Sequence, residues 1–303
     1  MIPPQFDYVR PPDLDSALRS LQEHEGEAKV LSGGYSLLPL LKLRLAQPGI
    51  LVDIQDVGGI DGIVETDDEL RIGGRATHRK ILEHPAVARY IGVIEAAGGI
   101  GDPQVRNWGT IGGSCAHADP SSDWPAVLIA ARAKIVVRSA TGERVIAARD
   151  FFVDTFQTAI EPTEILTEVR IPRRGPRVGG SYQKLERRAG DFATVGVAAR
   201  IRLADDDPSM PRHDERAHHG RIAEAGIGLT AVNDTPFAAT DAENLLIGTD
   251  GGADAIAAAA AAAAAQSHPA SDTHGPADYK RAMVAEMTAR ALRLAIARAR
   301  GQA

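Results

Sequence analysis

Two short stretches of this chain carry residue types that could do chemistry. The first is Ser32-Gly33-Gly34-Tyr35-Ser36, entered through Lys29-Val30-Leu31 and left through Leu37 and an apolar run. The second is Thr110-Ile111-Gly112-Gly113-Ser114, with Asp123 beyond it in a Pro-Ser-Ser-Asp turn. Paired glycines let a backbone turn tightly and bring main-chain N–H groups close to a ligand. Such donors, gathered at or near a helix N-terminus, form a concave site for an anion such as a phosphate. The flanking serines and threonine add hydroxyl donors, and a carboxylate at 123 can accept hydrogen bonds from a ribose or similar hydroxyl. Taken singly, each stretch is equally an ordinary strand–turn–helix corner, because Gly-Gly is common in turns. Two of them in one chain suggest a ligand with a diphosphate and two ends.

The known nucleotide fingerprints are missing. Neither stretch reads G-x-G-x-x-G with an acid some twenty residues on, and no Gly-Lys-Ser/Thr ending marks a Walker A loop. A dinucleotide would therefore be held by some other fold. No catalytic triad is evident either, as expected where a cofactor carries the reaction and the protein binds and orients it. The single cysteine, Cys115, rules out an internal disulfide, a thiolate zinc site and a four-thiolate iron–sulfur cluster within the chain. If electrons pass through such a cluster, another chain carries it.

Composition bounds the rest. With 303 residues, 44% apolar and 24% charged, the chain has the makings of a globular protein of two or three units. Its net charge of −6, with mixed signs, leaves no basic footprint for nucleic acid. No apolar run reaches the ~20 residues that span a bilayer. The segment Met1–Gln5 lacks the basic region and apolar core of a signal peptide, so the expected location is cytoplasmic, with no direct membrane insertion.

The elements that must position these residues can be read in order. A helix is predicted over Asp13–His24, with Asp13 as N-cap, then a strand at Lys29–Leu31 leading into the first glycine pair. The helix after it is expected to end near Ala46, before a buried-type strand at Ile50–Ile54. A strand at Leu70–Gly74 and helices at Thr77–Glu83, Val87–Gly98 and Asp123–Ala131 follow, the second glycine pair being read as a loop. A hairpin about Thr141-Gly142 and a strand at Glu164–Ile171 complete this second unit. Beyond a basic linker at Arg173–Arg177, three antiparallel strands are predicted at Ser181–Leu185, Val195–Leu203 and Ile222–Thr230. His213, His218 and His219 lie between the last two strands in a polar stretch that reads as a loop rather than a metal site. An alanine-rich helix at Ala257–Ala265 precedes a long amphipathic helix at Tyr279–Arg300, whose apolar stripe is Met283, Met287, Ala291, Leu294 and Ile296. The predicted class is α+β in three parts, residues 1–57, 58–175 and 178–303, with a ligand crevice between the first two.

The stretches LSGGYSLLPLLKLRLAQPGILVDI and GDPQVRNWGTIGGSCAHADPSSDWPA resemble the two FAD-binding motifs of the flavoprotein medium subunit of molybdenum-containing hydroxylases, the xanthine dehydrogenase family. The likeness is greatest to the carbon monoxide dehydrogenase branch. MIPPQFDYVRPPDLDSAL, EILTEVRIP, YQKLERRAGDFATVGVA and GPADYKRAMVAEMTARAL fit in the same order, so it covers nearly the whole chain. The resemblance implies a two-part FAD-binding domain of the vanillyl-alcohol oxidase/PCMH type and a C-terminal domain with a small antiparallel sheet and helices. It assigns Lys29, Val30, Leu31, Ser32, Gly33, Gly34, Tyr35, Ser36 and Leu37 to the first pyrophosphate segment. Thr110, Ile111, Gly112, Gly113 and Ser114 fall in the second, Asp123 in the ribose region and Ile100 in a pocket wall. Leu166 and Lys184 align with positions near the flavin ring, and Phe192 with a position often aromatic beside it. A cation at 184 has a physical rationale, since it would raise the potential of a flavin whose reduced form is anionic. Tyr35 and Ser114 depart from the usual His and Asn, keeping hydrogen-bonding capacity while altering the geometry.

What the resemblance implies for function is electron transfer. Substrate would be oxidised at a molybdopterin large subunit, and electrons would cross a 2Fe–2S small subunit to FAD on this chain and then reach an external acceptor. The assembly would be a hetero-oligomer, a dimer of three-subunit units. Two other readings remain beside it: a self-sufficient FAD-dependent oxidoreductase, and a flavin-free scaffold that bridges partners.

Overall fold

The computed structural model describes residues 2–204 and 220–302. The histidines at 213, 218 and 219 lie outside the described residues. Three successive sheets organise the chain, each built from a contiguous stretch of sequence.

The first is parallel, with strands β1 (Asp7–Val9), β2 (Ala28–Leu31) and β3 (Ile50–Asp53) in the order β1-β3-β2. Helix α1 (Leu14–Glu23) lies between β1 and β2, and its N-cap Asp13 accepts the Ser16 N–H at 2.7 Å. Its apolar face, Ala17, Leu18 and Leu21, packs with Val52, Ile54 and Val57. Helix α2 (Leu37–Lys42) follows the first glycine pair and is shorter than predicted. Arg44 stands at φ 60°, in the left-handed region, and that reversal stops the helix well before Ala46.

The second sheet is antiparallel, in the order β4-β5-β10-β6-β7. Strands β4 (Ile63–Glu65), β5 (Glu69–Gly73), β6 (Lys134–Ser139) and β7 (Gly142–Ala147) carry the predicted hairpin, with Ser139 opposite Gly142. The small pair β8 (Phe152–Asp154) and β9 (Gln157–Thr158) comes before β10 (Ile165–Pro172), the central strand of the sheet. Helices α3 (His78–Glu83), α4 (Ile91–Gly99), α5 (Pro103–Trp108), α6 (Ile111–His117), α7 (Asp123–Ala130) and α8 (Ala148–Phe151) pack around it. The expected helix at 87–98 begins late, because Pro85–Val87 form a separate 3-10 turn capped by His84. The short α5, started by Asp102 and Pro103, was not foreseen. The largest correction concerns the second glycine pair. It lies inside α6, whose N-cap Thr110 accepts the Gly113 N–H at 3.1 Å.

The third sheet is antiparallel, with β11 (Val178–Leu185), β12 (Val195–Leu203), β13 (Ile222–Thr230) and the unforeseen β14 (Phe237–Ala238) in sequence order. Helices α9 (Thr240–Leu246), α10 (Ala253–Gln266) and α11 (Ala277–Ala299) follow. The alanine-rich α10 buries Ile256, Ala259, Ala260 and Ala263, one helical face, against the same core as α11. On α11 the buried stripe is Val284, Met287, Ala291, Leu292, Ala295 and Ile296, with the predicted Leu294 only half-buried.

This last unit packs closely on the second. Every residue of α7 is buried, and β13 lies on it so closely that a Cβ at Gly226 or Gly228 would stand 2.0 Å from the carbonyl oxygen of Ala130 or Ala126. A part-buried ion pair fastens the same face. Arg149 donates to both Glu243 oxygens at 3.0 and 2.5 Å, and Glu243 also accepts the Ile227 N–H.

Candidate functional site

The two glycine stretches come together. Ser32 Oγ and Thr110 Oγ1 are 3.0 Å apart, and a Cβ on Gly113 would lie 2.8 Å from that same Thr110 oxygen and 3.9 Å from Ser32 Cβ. Gly33 presses on the main chain between α5 and α6. A Cβ there would meet the Trp108 carbonyl oxygen at 2.1 Å and Gly109 Cα at 2.9 Å. Gly34, at φ +83°, takes a conformation that side chains disfavour.

Their roles differ. The backbone N–H groups of Gly33, Gly34, Tyr35 and Ser36 donate to no protein acceptor among the described residues. They form an open run of donors ahead of α2. In α6 the corresponding donors are already engaged. Ile111 N–H donates to Ala76 O, Gly112 N–H to Gly74 O, and Ser114 N–H to Thr110 O, with Gly113 bonded to the Thr110 side chain. Gly112 is there for packing, since its Cβ would stand 2.5 Å from the Gly74 carbonyl oxygen. The second stretch therefore offers a ligand hydroxyls rather than amides.

From α6 a chain of polar contacts crosses to the third sheet. Ser114 Oγ is 2.8 Å from Ser122 Oγ, and the next residue, Asp123, opens α7. The Asp123 carboxylate is almost fully buried. It accepts the Tyr182 hydroxyl at 2.5 Å on one oxygen and Lys184 Nζ at 3.2 Å on the other. Burial pushes the Asp123 pKa up, and the ammonium of Lys184 opposes that shift. Burial also holds the Tyr182 phenol well above its ordinary value, so it stays a donor. Tyr182 and Lys184 are two apart on β11 and share a face.

The residues expected to wall the pocket lie on neighbouring elements. Ile100 is the C-cap of α4, half-buried, and Arg106 holds its turn by donating to the carbonyls of Ile100 at 3.0 Å and Gly101 at 2.8 Å. Phe192 is 53% exposed in the loop between β11 and β12. That loop rests on the same turn, for a Cβ on Gly190 would lie 2.7 Å from Gly101 O.

Other predicted positions are less directly placed. Lys29 is exposed on an edge strand, and Val30 and Leu31 pack into two different small cores. Leu37 joins the Leu31 core, and Tyr35 is 41% exposed. Ile111 and Leu166 lie in the main core, with the Leu166 carbonyl packed on Gly74. These core positions can offer a ligand main-chain atoms more readily than side chains. Sequence reading missed Tyr182, Glu95 and Ser122. Glu95 on α4 accepts the Tyr182 N–H at 2.6 Å and pairs with Arg298 of α11 at 2.7 Å. The alternation of Tyr182 and Lys184 on a strand was the available signal for the first.

Two buried groups near the glycines matter to reactivity. Cys115 is fully buried with its thiol pushed up to about 12, which makes it an inert core residue. His78 accepts the Trp124 indole N–H on Nδ1 at 3.1 Å, and burial lowers its pKa to about 4.

Comparison with known proteins decides the family. Residues 4–174 match the FAD binding domain in molybdopterin dehydrogenase, and residues 180–295 match the CO dehydrogenase flavoprotein C-terminal domain. The chain belongs to this molybdopterin dehydrogenase FAD-binding family. It is 40% identical to the carbon monoxide dehydrogenase medium chain of Hydrogenophaga pseudoflava, over 98% of this chain and 99% of that one. It is 37% identical to the 6-hydroxypseudooxynicotine dehydrogenase complex subunit alpha of Paenarthrobacter nicotinovorans, over 99% and 97% of the two chains. A solved carbon monoxide dehydrogenase from Hydrogenophaga pseudoflava, lacking the Mo-pyranopterin moiety, superposes with a TM-score of 0.91 at 40% identity, covering 98% of this chain and 99% of that one. The architecture is thus a two-part FAD-binding domain followed by a flavoprotein C-terminal domain, FAD is the cofactor, and the chain is an oxidoreductase subunit. The open N–H run at Gly33–Ser36 beside the Ser32–Thr110 contact fits a diphosphate of this kind.

Proposed function

We propose that this chain is the electron-transferring medium subunit of a carbon monoxide dehydrogenase-like molybdenum hydroxylase, and that it docks with a 2Fe–2S subunit and a molybdopterin subunit. The observation that carries the reading is the open donor run at Gly33–Ser36 set against the paired hydroxyls of Ser32 and Thr110. Bound FAD would supply the redox chemistry, accepting electrons from one partner and releasing them to an external acceptor. In this reading residues 29–37 hold the pyrophosphate, residues 110–114 bound it with side chains and Gly113, and Asp123 marks the ribose end. Ile100, Leu166, Lys184 and Phe192 bound the ring end. The parts are residues 1–57 and 58–175 for the FAD-binding halves and 178–303 for the C-terminal domain.

Several features support a subunit rather than a self-sufficient enzyme. The chain has one cysteine, and that one is buried, so a four-thiolate cluster must belong to another chain. Substrate choice would then lie outside it, and the similar chains serve different reactions, one named for carbon monoxide and one for 6-hydroxypseudooxynicotine. No helix among the described residues is long and apolar enough to cross a membrane, and we place the assembly in the cytoplasm. The purified chain should bind FAD stoichiometrically yet oxidise neither carbon monoxide nor an N-heterocycle with a dye acceptor. Robust turnover by the metal-free chain would overturn the subunit reading.

A further inference from the structure

The turn that leads into Asp123 belongs by sequence to the second unit, yet the third sheet holds it. Thr230, the last residue of β13, is buried, and its Oγ1 lies 2.6 Å from Pro120 O and 2.8 Å from Ser122 O. A hydroxyl carries one proton, so it serves one carbonyl at a time. The N–H of Ala231 already donates to Pro120 O at 2.7 Å, which leaves the Thr230 proton for Ser122 O. Ala231 stands at φ 67°, an uncommon conformation for a residue with a side chain.

Tyr182 grips the next residue. From β11 its buried hydroxyl donates to Asp123 Oδ1 at 2.5 Å. The two grips converge over one glycine. Gly196, on the strand between, stands opposite Thr230 in the ladder, and a Cβ there would lie 2.4 Å from Thr230 Cγ2 and 2.6 Å from the Tyr182 hydroxyl oxygen. Ser122 extends the hold toward the glycine stretches, since its hydroxyl is 2.8 Å from that of Ser114 in α6.

We propose that Thr230 and Tyr182 are positioning residues of the cofactor site: from the C-terminal domain they fix the turn at 120–123, and with it the Asp123 carboxylate and the Ser122 hydroxyl behind Ser114. The third sheet thereby completes a ribose end whose own residues lie in the second unit. This inference rests on the assignment of Asp123 to the ribose end for its effect on FAD, but the clamp is a property of the chain alone.

The test uses the full chain, purified with the subunits that accompany it. Tyr182→Phe and Thr230→Val each remove a hydroxyl and keep the shape of the side chain. The FAD dissociation constant should rise about tenfold in either, the order of one lost hydrogen bond. Thr230→Ser, which keeps the hydroxyl, should bind FAD like the parent. In an Asp123→Ala background Tyr182→Phe should add little, because its hydroxyl acts only through that carboxylate. Arg149→Ala gauges lost stability alone. It loosens the same two units at the far end of α7, where Arg149 reaches Ile129 O and Glu243, and should leave FAD affinity unchanged. Without FAD, amide exchange across 119–123 should quicken in Thr230→Val and not in Arg149→Ala. Parental FAD affinity in both Tyr182→Phe and Thr230→Val, with exchange unchanged, overturns the proposal. So does an equal loss of affinity in Arg149→Ala, the mark of a merely structural effect. If Tyr182→Phe fails to fold, the contrast between Thr230→Val and Thr230→Ser decides. Full FAD affinity in Asp123→Ala would remove the ribose-end reading instead, whereas amide exchange still decides the clamp.

Discussion

A methyl group at residue 33 has nowhere to go. Its carbon would stand 2.1 Å from the Trp108 carbonyl oxygen, 2.8 Å from the Trp108 carbonyl carbon and 2.9 Å from Gly109 Cα, all of them main-chain atoms that no rotamer change can move. Gly33→Ala must push the first glycine segment away from the α5–α6 junction by about 1 Å, an overpacking strain of about 1–3 kcal/mol. The same shift pulls Ser32 off Thr110, a contact of 3.0 Å whose loss costs about 1 kcal/mol. If the strain is relieved by displacing the donors at Gly33–Ser36, the effect appears in binding, and about 2–4 kcal/mol corresponds to a roughly 30- to 1,000-fold weaker FAD affinity. Titration of apoprotein by flavin fluorescence measures it, with thermal melting to confirm folding. Gly58→Ala is the control, because nothing lies within 4 Å of its Cβ and its φ is ordinary. Wild-type FAD affinity in Gly33→Ala would show that the segment's contact with Trp108 has no bearing on the ligand.

Other outcomes follow from the same geometry. FAD should be held non-covalently: acid precipitation should leave a yellow supernatant, since the one thiol, Cys115, is buried and protonated, and a yellow pellet would contradict this. His78 titrates near 6.5 when unfolded and at about 4 when folded, owing first to burial and then to Arg106, so the unfolded chain binds the extra proton between those values. Its contribution, roughly 3 kcal/mol, is present above pH 6.5 and lost as pH falls toward 4. Urea midpoints at pH 7 and pH 5 should diverge less in His78→Gln than in the parent, and an unchanged difference would count against the assignment. Arg149→Ala leaves the Glu243 carboxylate buried without its bidentate partner, and should destabilise by about 3 kcal/mol in urea unfolding. An effect under 0.5 kcal/mol would mean that Arg132, 3.8 Å away, takes over the charge.

Much of the architecture depends on local chemistry and was legible without coordinates. Asp13 and Thr77 announce helix starts because a cap needs only a side-chain oxygen three residues before a free N–H. The hairpin about Thr141-Gly142 and the three long strands of the last sheet follow from alternation and turn residues, which act within one element. The first glycine pair, too, was recognisable as a donor run, since glycine admits the left-handed backbone that Gly34 takes, φ +83°. Tertiary structure decided what each polar group faces. Gly112 and Gly113 read like a second amide cradle, yet the carbonyls of Gly74 and Ala76, remote in sequence, had already taken the N–H groups of Gly112 and Ile111. Lys184 read like a free cation, whereas the fold brings Asp123 from α7 and Gly99 from α4 to accept two of its hydrogen bonds. A strand's period of two places Tyr182 and Lys184 on one face, but it carries no information about which helix will cover that face. That choice rests on packing between elements, where Gly226 and Gly228 admit α7 to van der Waals contact with β13 and so carry Asp123 to its partners.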